Sequence, residues 1–287
     1  MIIKNQMLLQ INDLIQGTII NRPSKIIKSP YVADVIPCND IEETLVHSAA
    51  LGCCGLADTN ASILMSSMPV PKNKNTKQKC KYRIYLAIYK EKGNEVIIGI
   101  HPKLAEDLTE KALTGGFLSK LQNIKLYKRE TTIFVEGKVD SRFDFSGIDS
   151  EGIPFIMEVK NVPLADYEDI DAKHRKKMNF DNRDFNSKVA YFPDGYRKKR
   201  TDPVSPRALK HVRELMLIKK ESKTRCIMCF VIQRTDVTSF TASVIDEQYR
   251  QAVKEAINAG VEIITMVVKW TREGIAEFIR DDLPVII

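Results

Sequence analysis

The stretch SRFDFSGIDSEGIPFIMEVKNV, residues 141–162, decides how the second half of this 287-residue chain folds. Two runs rich in β-branched and aromatic residues, 141–148 and 154–162, flank a polar segment from Asp149 to Gly152. This arrangement is typical of two antiparallel strands joined by a turn. The stretch is therefore predicted to form a hairpin in a larger sheet.

The first strand of this hairpin carries both charged and aromatic side chains. Because side chains alternate between the two faces of a strand, Arg142 and Asp144 are expected on one face, with Phe143 and Phe145 on the other.

The second strand presents Glu158 and Lys160 on a common face, while Met157 and Val159 point away. The hairpin can therefore bring a second carboxylate and an ammonium group to Asp144. A surface hairpin with solvated charges is the alternative. However, a charge inside so apolar a strand costs free energy unless it is paired or bound to a metal.

Two carboxylates and a lysine make chemical sense together. Asp144 and Glu158 can hold Mg²⁺ or Mn²⁺ through oxygen ligands, with the Val159 carbonyl as a further ligand. The cation polarises a phosphoryl oxygen, and Lys160 positions the attacking water or stabilises the developing charge. The pattern predicts phosphodiester hydrolysis with Asp144, Glu158 and Lys160 as catalytic residues.

The composition narrows the class of partner. The chain is 44% hydrophobic and has a formal net charge of +7, which favours an anionic partner such as nucleic acid or an acidic membrane surface. No stretch is long enough to span a bilayer, and the N-terminus lacks the layout of a signal peptide. We expect a soluble intracellular protein, cytoplasmic or nucleoid-associated, that does not bind membranes.

Six cysteines are irregularly spaced, which favours reduced thiols. Cys226 and Cys229 form a CxxC, but it lies in the apolar run RCIMCFVIQ, and no second pair completes a four-ligand zinc site. We interpret these two residues as part of a buried strand.

The chain divides into two predicted domains. Residues 1–101 contain strand-like runs at 32–36, 81–90 and 95–100, with an exposed basic loop at 69–81, a pattern that suits a small β-barrel. Residues 102–287 begin with a helical pattern and then alternate strands with helices, which indicates a mixed α/β sheet. A polar, basic segment, 171–200, is interpreted as a long surface excursion.

One of the predicted helices starts with Ser205 as N-cap and Pro206 in its first turn. Further along it, Arg207, Lys210, His211 and Glu214 follow the helical repeat and share one polar face.

Six sequence blocks occur in an order that resembles one known family, the sugar fermentation stimulation protein (SfsA) family. They are SRFDF (141–145), EVKNVPL (158–164), AYFPD (190–194), RALKHVREL (207–215), VIQRTDVTSF (231–240) and NAGVEI (258–263). The resemblance covers nearly all of the chain after residue 141 and is looser before it.

The resemblance implies an N-terminal OB-like barrel followed by a PD-(D/E)XK nuclease-type domain. It implies binding of nucleic acid, with DNA favoured over RNA, and cleavage that depends on a divalent metal. The positions that match the family's acidic, lysine and helix residues are Asp144, Glu158, Lys160, Asp194, Arg207, Lys210 and His211.

The expected contacts to nucleic acid come from Arg142, Arg207, Lys210 and His211, with basic residues around 175–177 and 197–200. His211 has an alternative interpretation as an ordinary helix-face histidine. Glu130 and Glu136, which precede the hairpin, are weaker candidates for completing the metal site.

A non-catalytic DNA-binding regulatory protein on the same fold remains the alternative function, because fold does not determine function. A soluble protein whose basic surface serves only solubility would leave the Asp/Glu/Lys face unexplained. The sequence does not determine whether the nucleic acid is DNA or RNA, or single- or double-stranded. It also leaves the oligomeric state open, and a homodimer is one of the alternatives.

Overall fold

The computed structural model of the protein describes residues 6–50, 55–69, 78–193 and 202–287. The strands of the first half are β1 Met7–Gln10, β2 Ile15–Asn21, β3 Val32–Pro37, β4 Thr44–His47, β5 Ser62–Ser67, β6 Tyr82–Glu91 and β7 Asn94–Gly99. Those of the second half are β8 Leu126–Val135, β9 Val139–Ile148, β10 Pro154–Val162, β11 Ala165–Asp166, β12 Lys188–Phe192, β13 Arg225–Ile232, β14 Val237–Ala242, β15 Glu262–Trp270, β16 Ile275–Arg280 and β17 Val285–Ile286. The helices are α1 Lys103–Thr114, α2 Ala172–Arg175, α3 Pro206–Glu221 and α4 Glu247–Asn258. No helix in the described part of the chain combines the length and the apolar character that a membrane span requires.

The first half forms a ring of strands, as the sequence predicts. The strand order is β4-β3-β2-β5-β6, and β4 also pairs with β6, which closes the ring. Alternate side chains fill its interior, among them Ile19, Val35 and Ile63. Strand β7 pairs with β6 outside the ring through a two-residue turn in which Lys92 and Gly93 both have positive φ, the conformation that a tight hairpin requires.

The second half is built around a seven-stranded mixed sheet in the order β1-β16-β15-β13-β10-β9-β8. The central strands β10, β13 and β15 are parallel to one another, and the outer pairings are antiparallel. The mixed α/β fold predicted from the sequence is confirmed. Strand β1, from the start of the chain, lies at one edge of this sheet, and the boundary predicted near residue 101 stays a prediction.

The two faces of this sheet are covered by different elements. Along β13, Ile227 and Cys229 point into a core shared with α1 and with the outer face of the barrel. Met228 and Phe230 point into a second core shared with α3 and α4. Because β13 is buried on both faces, its sequence is continuously apolar rather than alternating.

Strands β9 and β10 separate partway along their length, and we call this point the fork. They pair only from Pro154↔Ile148 to Met157↔Phe145. On the N-terminal side of Phe145, β9 is no longer paired with β10 and forms a two-stranded ribbon with β8. Strand β10 stays paired with β13 as far as Val162. The fork lies between Asp144 and Glu158.

The simple alternation predicted for β9 is wrong at the fork. Phe145 packs in the core with α1, whereas Phe143 packs on the other side with α3, so the two rings do not share a face. The ladder with β8 lacks a pair at Asp144, opposite Glu130, whose φ is +52°. This irregularity turns the strand towards α3.

The surface excursion predicted for 171–200 is also wrong in part. The segment forms α2 and β12, and β12 joins a small sheet in the order β11-β12-β14-β17. Phe180 and Phe185 are buried, and Phe185 packs against the barrel core. Residues 194–201, which include Asp194 and the basic run 197–200, lie outside the described residues, as does most of the predicted basic loop at 69–81.

Helix α3 starts at Pro206, as predicted, but the Ser205 side chain makes no capping hydrogen bond. His211 and Glu214 are buried against the sheet rather than solvated. The predicted polar face of α3 therefore faces the fork and the ribbon.

Candidate functional site

A cleft of about 350 Å³ opens at the fork, between the first turns of α1 and α3. Asp144, Glu158 and Lys160, predicted as the catalytic residues, all line it. The other lining residues come from both halves of the chain and are Ala50, Ile100, Pro102, Ala105, Glu106, Val159, Asn161, Pro163, Leu164, Tyr191, Phe192, Ser205, Arg207 and Ala208. The structure thus brings the predicted triad together in one concave site.

Asp144, on β9, is held in place by a hydrogen bond from β10. Its Oδ2 accepts a hydrogen bond of 2.7 Å from the Val159 backbone N–H, which the opening of the ladder has freed. Burial and the nearby Glu158 carboxylate raise the pKa of Asp144 to about 6. The carboxylate is fixed in position at a point where negative charge is costly.

Glu158 is 2% exposed and its Oε1 accepts from two donors. Lys160 Nζ is one of them, and His211 Nδ1 is the other, at 2.5 Å. Burial opposes ionisation of Glu158, but Lys160 and His211 outweigh it and hold the pKa of Glu158 below its usual range. The second oxygen, Oε2, is buried and has no hydrogen-bond partner among the described residues.

A buried carboxylate oxygen without a partner is rare and calls for an explanation. Glu158 lines the cleft, and its Oε2 has lone pairs that no described residue uses. It is therefore available to a cation.

Glu106, on the first turn of α1, is a cleft residue that the sequence reasoning missed. Its charge is one of the causes that raise the pKa of Asp144, after burial and Glu158, and its Oε2 accepts from Arg129 at 3.1 Å. Glu130 and Glu136, the weaker candidates for completing the metal site, do not line the cleft. Glu130 is exposed and pairs with Arg142, and Glu136 is exposed at the end of the ribbon. The sequence predicts a helix here, but nothing in it distinguishes Glu106 from Asp107 and Glu110 on the same helix.

The four residues predicted to contact nucleic acid take different positions. Arg207 is exposed, lines the cleft and makes no ion pair within the described part of the chain. His211 is buried on Glu158. Lys210 Nζ donates to the backbone carbonyl of Asp140 and lies outside the cleft, as does Arg142.

The fork also offers a backbone oxygen. In a strand, the N–H and C=O of one residue point to the same side, so the Val159 carbonyl points towards β9, where the ladder is open. Within the described ranges, no three His, Cys, Asp or Glu side chains are grouped to bind one ion. A cation at the fork would have two carboxylates, backbone oxygen and water as ligands, which is a donor set that Mg²⁺ and Mn²⁺ accept.

Cys226 and Cys229 form no such site. They lie on opposite faces of β13, in different cores, and cannot bind one ion together. Burial raises the pKa of both thiols to about 12, so neither is a reactive thiolate at neutral pH.

Comparison with known proteins identifies relatives of this chain. Residues 176–274 match the family model described as the sugar fermentation stimulation protein RE domain. A sugar fermentation stimulation protein homolog from Pseudomonas putida (strain GB-1) is 32% identical over 184 residues, which are 64% of this chain. The alignment spans 64% of that relative's own length.

A solved structure has the same fold. Pyrococcus furiosus SfsA, in complex with Ca²⁺, matches with a TM-score of 0.72 over 98% of this chain and 99% of that chain. The two sequences are 18% identical, so the likeness establishes the fold alone.

Proposed function

The chain carries a domain of the sugar fermentation stimulation protein (SfsA) family, and from the chemistry of its cleft we propose that it is a divalent-metal-dependent nuclease of the PD-(D/E)XK type. The observation that carries the proposal is the pair Asp144 and Glu158 at the fork, with Glu158 Oε2 buried and unpartnered.

A divalent cation suits this pair for an electrostatic reason. Burial and the charge of Glu158 raise the pKa of Asp144, so the site holds negative charge that its own residues only partly neutralise. The Ca²⁺ complex of P. furiosus SfsA, a protein of the same fold, supports a divalent cation here. Asp144, Glu158 and the Val159 carbonyl would hold Mg²⁺ or Mn²⁺. When bound, such a cation would act as a Lewis acid and polarise a phosphoryl oxygen.

The chain's own residues supply the rest of the chemistry. Lys160 carries an ammonium group at the cleft wall, where it can orient the attacking water and stabilise charge that develops on the phosphate. His211 fixes the position of Glu158 through Nδ1, so it acts as a positioning residue.

A cationic side chain and two helix N-termini at the cleft support an anionic substrate such as nucleic acid. Arg207 lines the cleft as an exposed cation without an ion pair among the described residues. The first turns of α1 and α3 both border the cleft, and neither helix has a side-chain cap. The positive ends of two helix dipoles therefore favour a phosphate between them.

The test is a cleavage assay on labelled single-stranded DNA, duplex DNA and RNA, each with Mg²⁺, Mn²⁺ or EDTA. Asp144→Asn and Glu158→Gln keep the shape of each side chain but remove its charge, and each should lower the rate at least ~100-fold. Asp140→Asn and Glu151→Gln change exposed acids on the same hairpin outside the cleft and should leave the rate unchanged.

Metal-dependent cleavage that both cleft variants lack supports the proposal and identifies the substrate. Salt-sensitive binding by every variant without cleavage under any metal would overturn it and leave a non-catalytic nucleic-acid-binding protein.

A further inference from the structure

A relay of side-chain hydrogen bonds leads from the core of the protein to the cleft. The Trp270 indole Nε1 donates to Gln233 Oε1 at 2.8 Å, and Gln233 Nε2 donates to Asn161 Oδ1 at 2.6 Å. Trp270 and Gln233 are 3% and 0% exposed, whereas Asn161 lines the cleft. The catalytic triad makes no use of these three residues.

The direction of every bond in this relay is determined. An indole N–H can only donate, so the oxygen of the Gln233 amide must face Trp270. The nitrogen of that amide must then face Asn161, which accepts with its oxygen. The Asn161 Nδ2 group is left as a donor, and it has no acceptor within the described part of the chain.

Backbone hydrogen bonds hold Gln233 in place, and the Trp270 indole N–H determines which way its side-chain amide faces. Its backbone N–H donates to the Val162 carbonyl at 3.2 Å, and its carbonyl accepts from Gly99 N–H at 3.1 Å. A Cβ atom at Gly99 would lie 1.9 Å from Gln233 Oε1, so the end of β7 is packed directly against the amide. The relay is therefore rigid, and Asn161 presents one polarity to the cleft.

The ligand of this donor follows from its position. Asn161 follows Lys160 on β10, three residues or about 10 Å along the strand from Glu158, and it shares the cleft lining with the uncapped first turn of α1. A fixed N–H beside the positive end of a helix suits an anionic acceptor. Its distance from the carboxylates places that acceptor beyond the reacting group.

We infer that Asn161 Nδ2 binds a non-bridging oxygen of the phosphodiester next to the one that is cleaved, and that Gln233 and Trp270 are positioning residues for this contact. The inference rests on the proposed nuclease function. It assigns a substrate subsite to residues of two sequence blocks, EVKNVPL and VIQRTDVTSF, whose asparagine and glutamine have no role in the metal chemistry.

The experiment measures the Kd of a fluorescent oligonucleotide in Ca²⁺, and kcat and KM in Mn²⁺, for wild type and three variants. Asn161→Ala should weaken binding about tenfold, as expected for one hydrogen bond to a charged group, with kcat nearly unchanged. Asn161→Asp should weaken it further, because an acceptor then faces the phosphate. Trp270→Phe, which frees the Gln233 amide to rotate, should give a smaller loss than Asn161→Ala at an unchanged kcat.

Asn258→Ala, an exposed asparagine on α4 outside the cleft, is the matched control and should bind as the wild type does. Oligonucleotides with a single neutral methylphosphonate at successive linkages identify the contact. The penalty of Asn161→Ala should disappear at one linkage, adjacent to the cleaved one, and remain at the others.

Two results would overturn the inference alone: Asn161→Ala and Asn161→Asp that bind like the control, or an Asn161→Ala penalty that no methylphosphonate removes. Binding that depends on Asn161 without cleavage by the wild type would support the phosphate contact and overturn the nuclease function. A wild type that neither binds nor cleaves would overturn both.

Discussion

Asp144 and Glu158 lie at the fork with opposite pKa shifts. Glu158 has Lys160 and His211 as partners for its charge, whereas Asp144 has a single backbone N–H. The residue with fewer partners is the one whose pKa is raised, to about 6 from a usual 3.8. The pH dependence of stability should therefore reveal Asp144.

Asp144→Asn should stabilise the protein in a pH-dependent way. Between about pH 4 and pH 6, Asp144 is protonated in more of the folded molecules than of the unfolded ones. The free energy of unfolding that depends on this group therefore falls as the pH rises through that range. The variant removes the effect. Its free energy of unfolding should exceed that of the wild type by on the order of 2 kcal/mol above pH 7, and by little near pH 4.

Urea unfolding of both proteins between pH 4 and pH 8, without divalent metal, measures this difference. A difference that does not change with pH would contradict the account of Asp144. Added Mn²⁺ should stabilise the wild type and have little effect on the variant.

His211→Ala should loosen Glu158. The imidazole is the only neighbour besides Lys160 that bonds this carboxylate among the described residues. Loss of an orienting partner typically lowers metal affinity about 10- to 100-fold, which titration calorimetry with Mn²⁺ would measure. His174→Ala removes an exposed histidine that also pairs with a carboxylate, Asp171, and should leave the affinity unchanged. Equal affinities in the two variants would show that His211 has no positioning role.

At the scale of single residues, the sequence predicts Asp144, Glu158 and Lys160 but not Glu106, the further acid of the cleft. Glu158 and Lys160 are recognisable because charges stand out in an apolar strand. Glu106 is not, because it lies 38 positions before Asp144 (144 − 106 = 38) on a helix whose other acids, Asp107 and Glu110, look the same. Only packing shows which of these acids reaches the cleft.

Among the elements, the fork is the feature that sequence periodicity could not predict. The period of a strand is 2 only while the ladder is regular, and β9 departs from it opposite Glu130. Phe143 therefore packs against α3, where its ring lies 5.6 Å from that of His211. Helix α3 in turn brings His211 and Arg207 to the cleft. The positions of these two side chains therefore depend on how α3 packs on the sheet.

Leu215→Ala tests the packing of α3. Leu215 is fully buried beneath the helix, and its truncation should cost about 2–5 kcal/mol of unfolding free energy. Leu217→Ala, on the partly exposed side of the same helix, should cost less than half as much. Urea denaturation measures both, and equal losses would contradict the packing described for α3.

On the scale of the whole molecule, the two halves of the chain share a core. Leu64, Leu86 and Ile88 of the barrel pack in the same cluster as Phe155 and Met157 of β10. Leu8 of β1 belongs to that cluster too, at the edge of the sheet formed by the second half. The order of strands and helices predicts both halves, but pairings between distant parts of the chain leave no local pattern, so this shared core could not be predicted.

A fragment of residues 102–287 should therefore fold poorly by itself. It would lack β1 and would expose the core face that the barrel covers. Circular dichroism and urea unfolding should show a less cooperative transition at lower urea than for the full chain. A sharp transition at the same midpoint would instead establish residue 101 as the boundary of an independent domain.

The most direct test of the central claim is the position of Mn²⁺ in crystals of this protein, located by anomalous diffraction. We predict a peak at the fork within about 2.4 Å of a carboxylate oxygen of Asp144 and of Glu158, which Glu158→Gln should abolish. A fully occupied ion elsewhere with none at the fork, or a peak unchanged in Glu158→Gln, would contradict the assignment of this cleft as a metal-dependent active site.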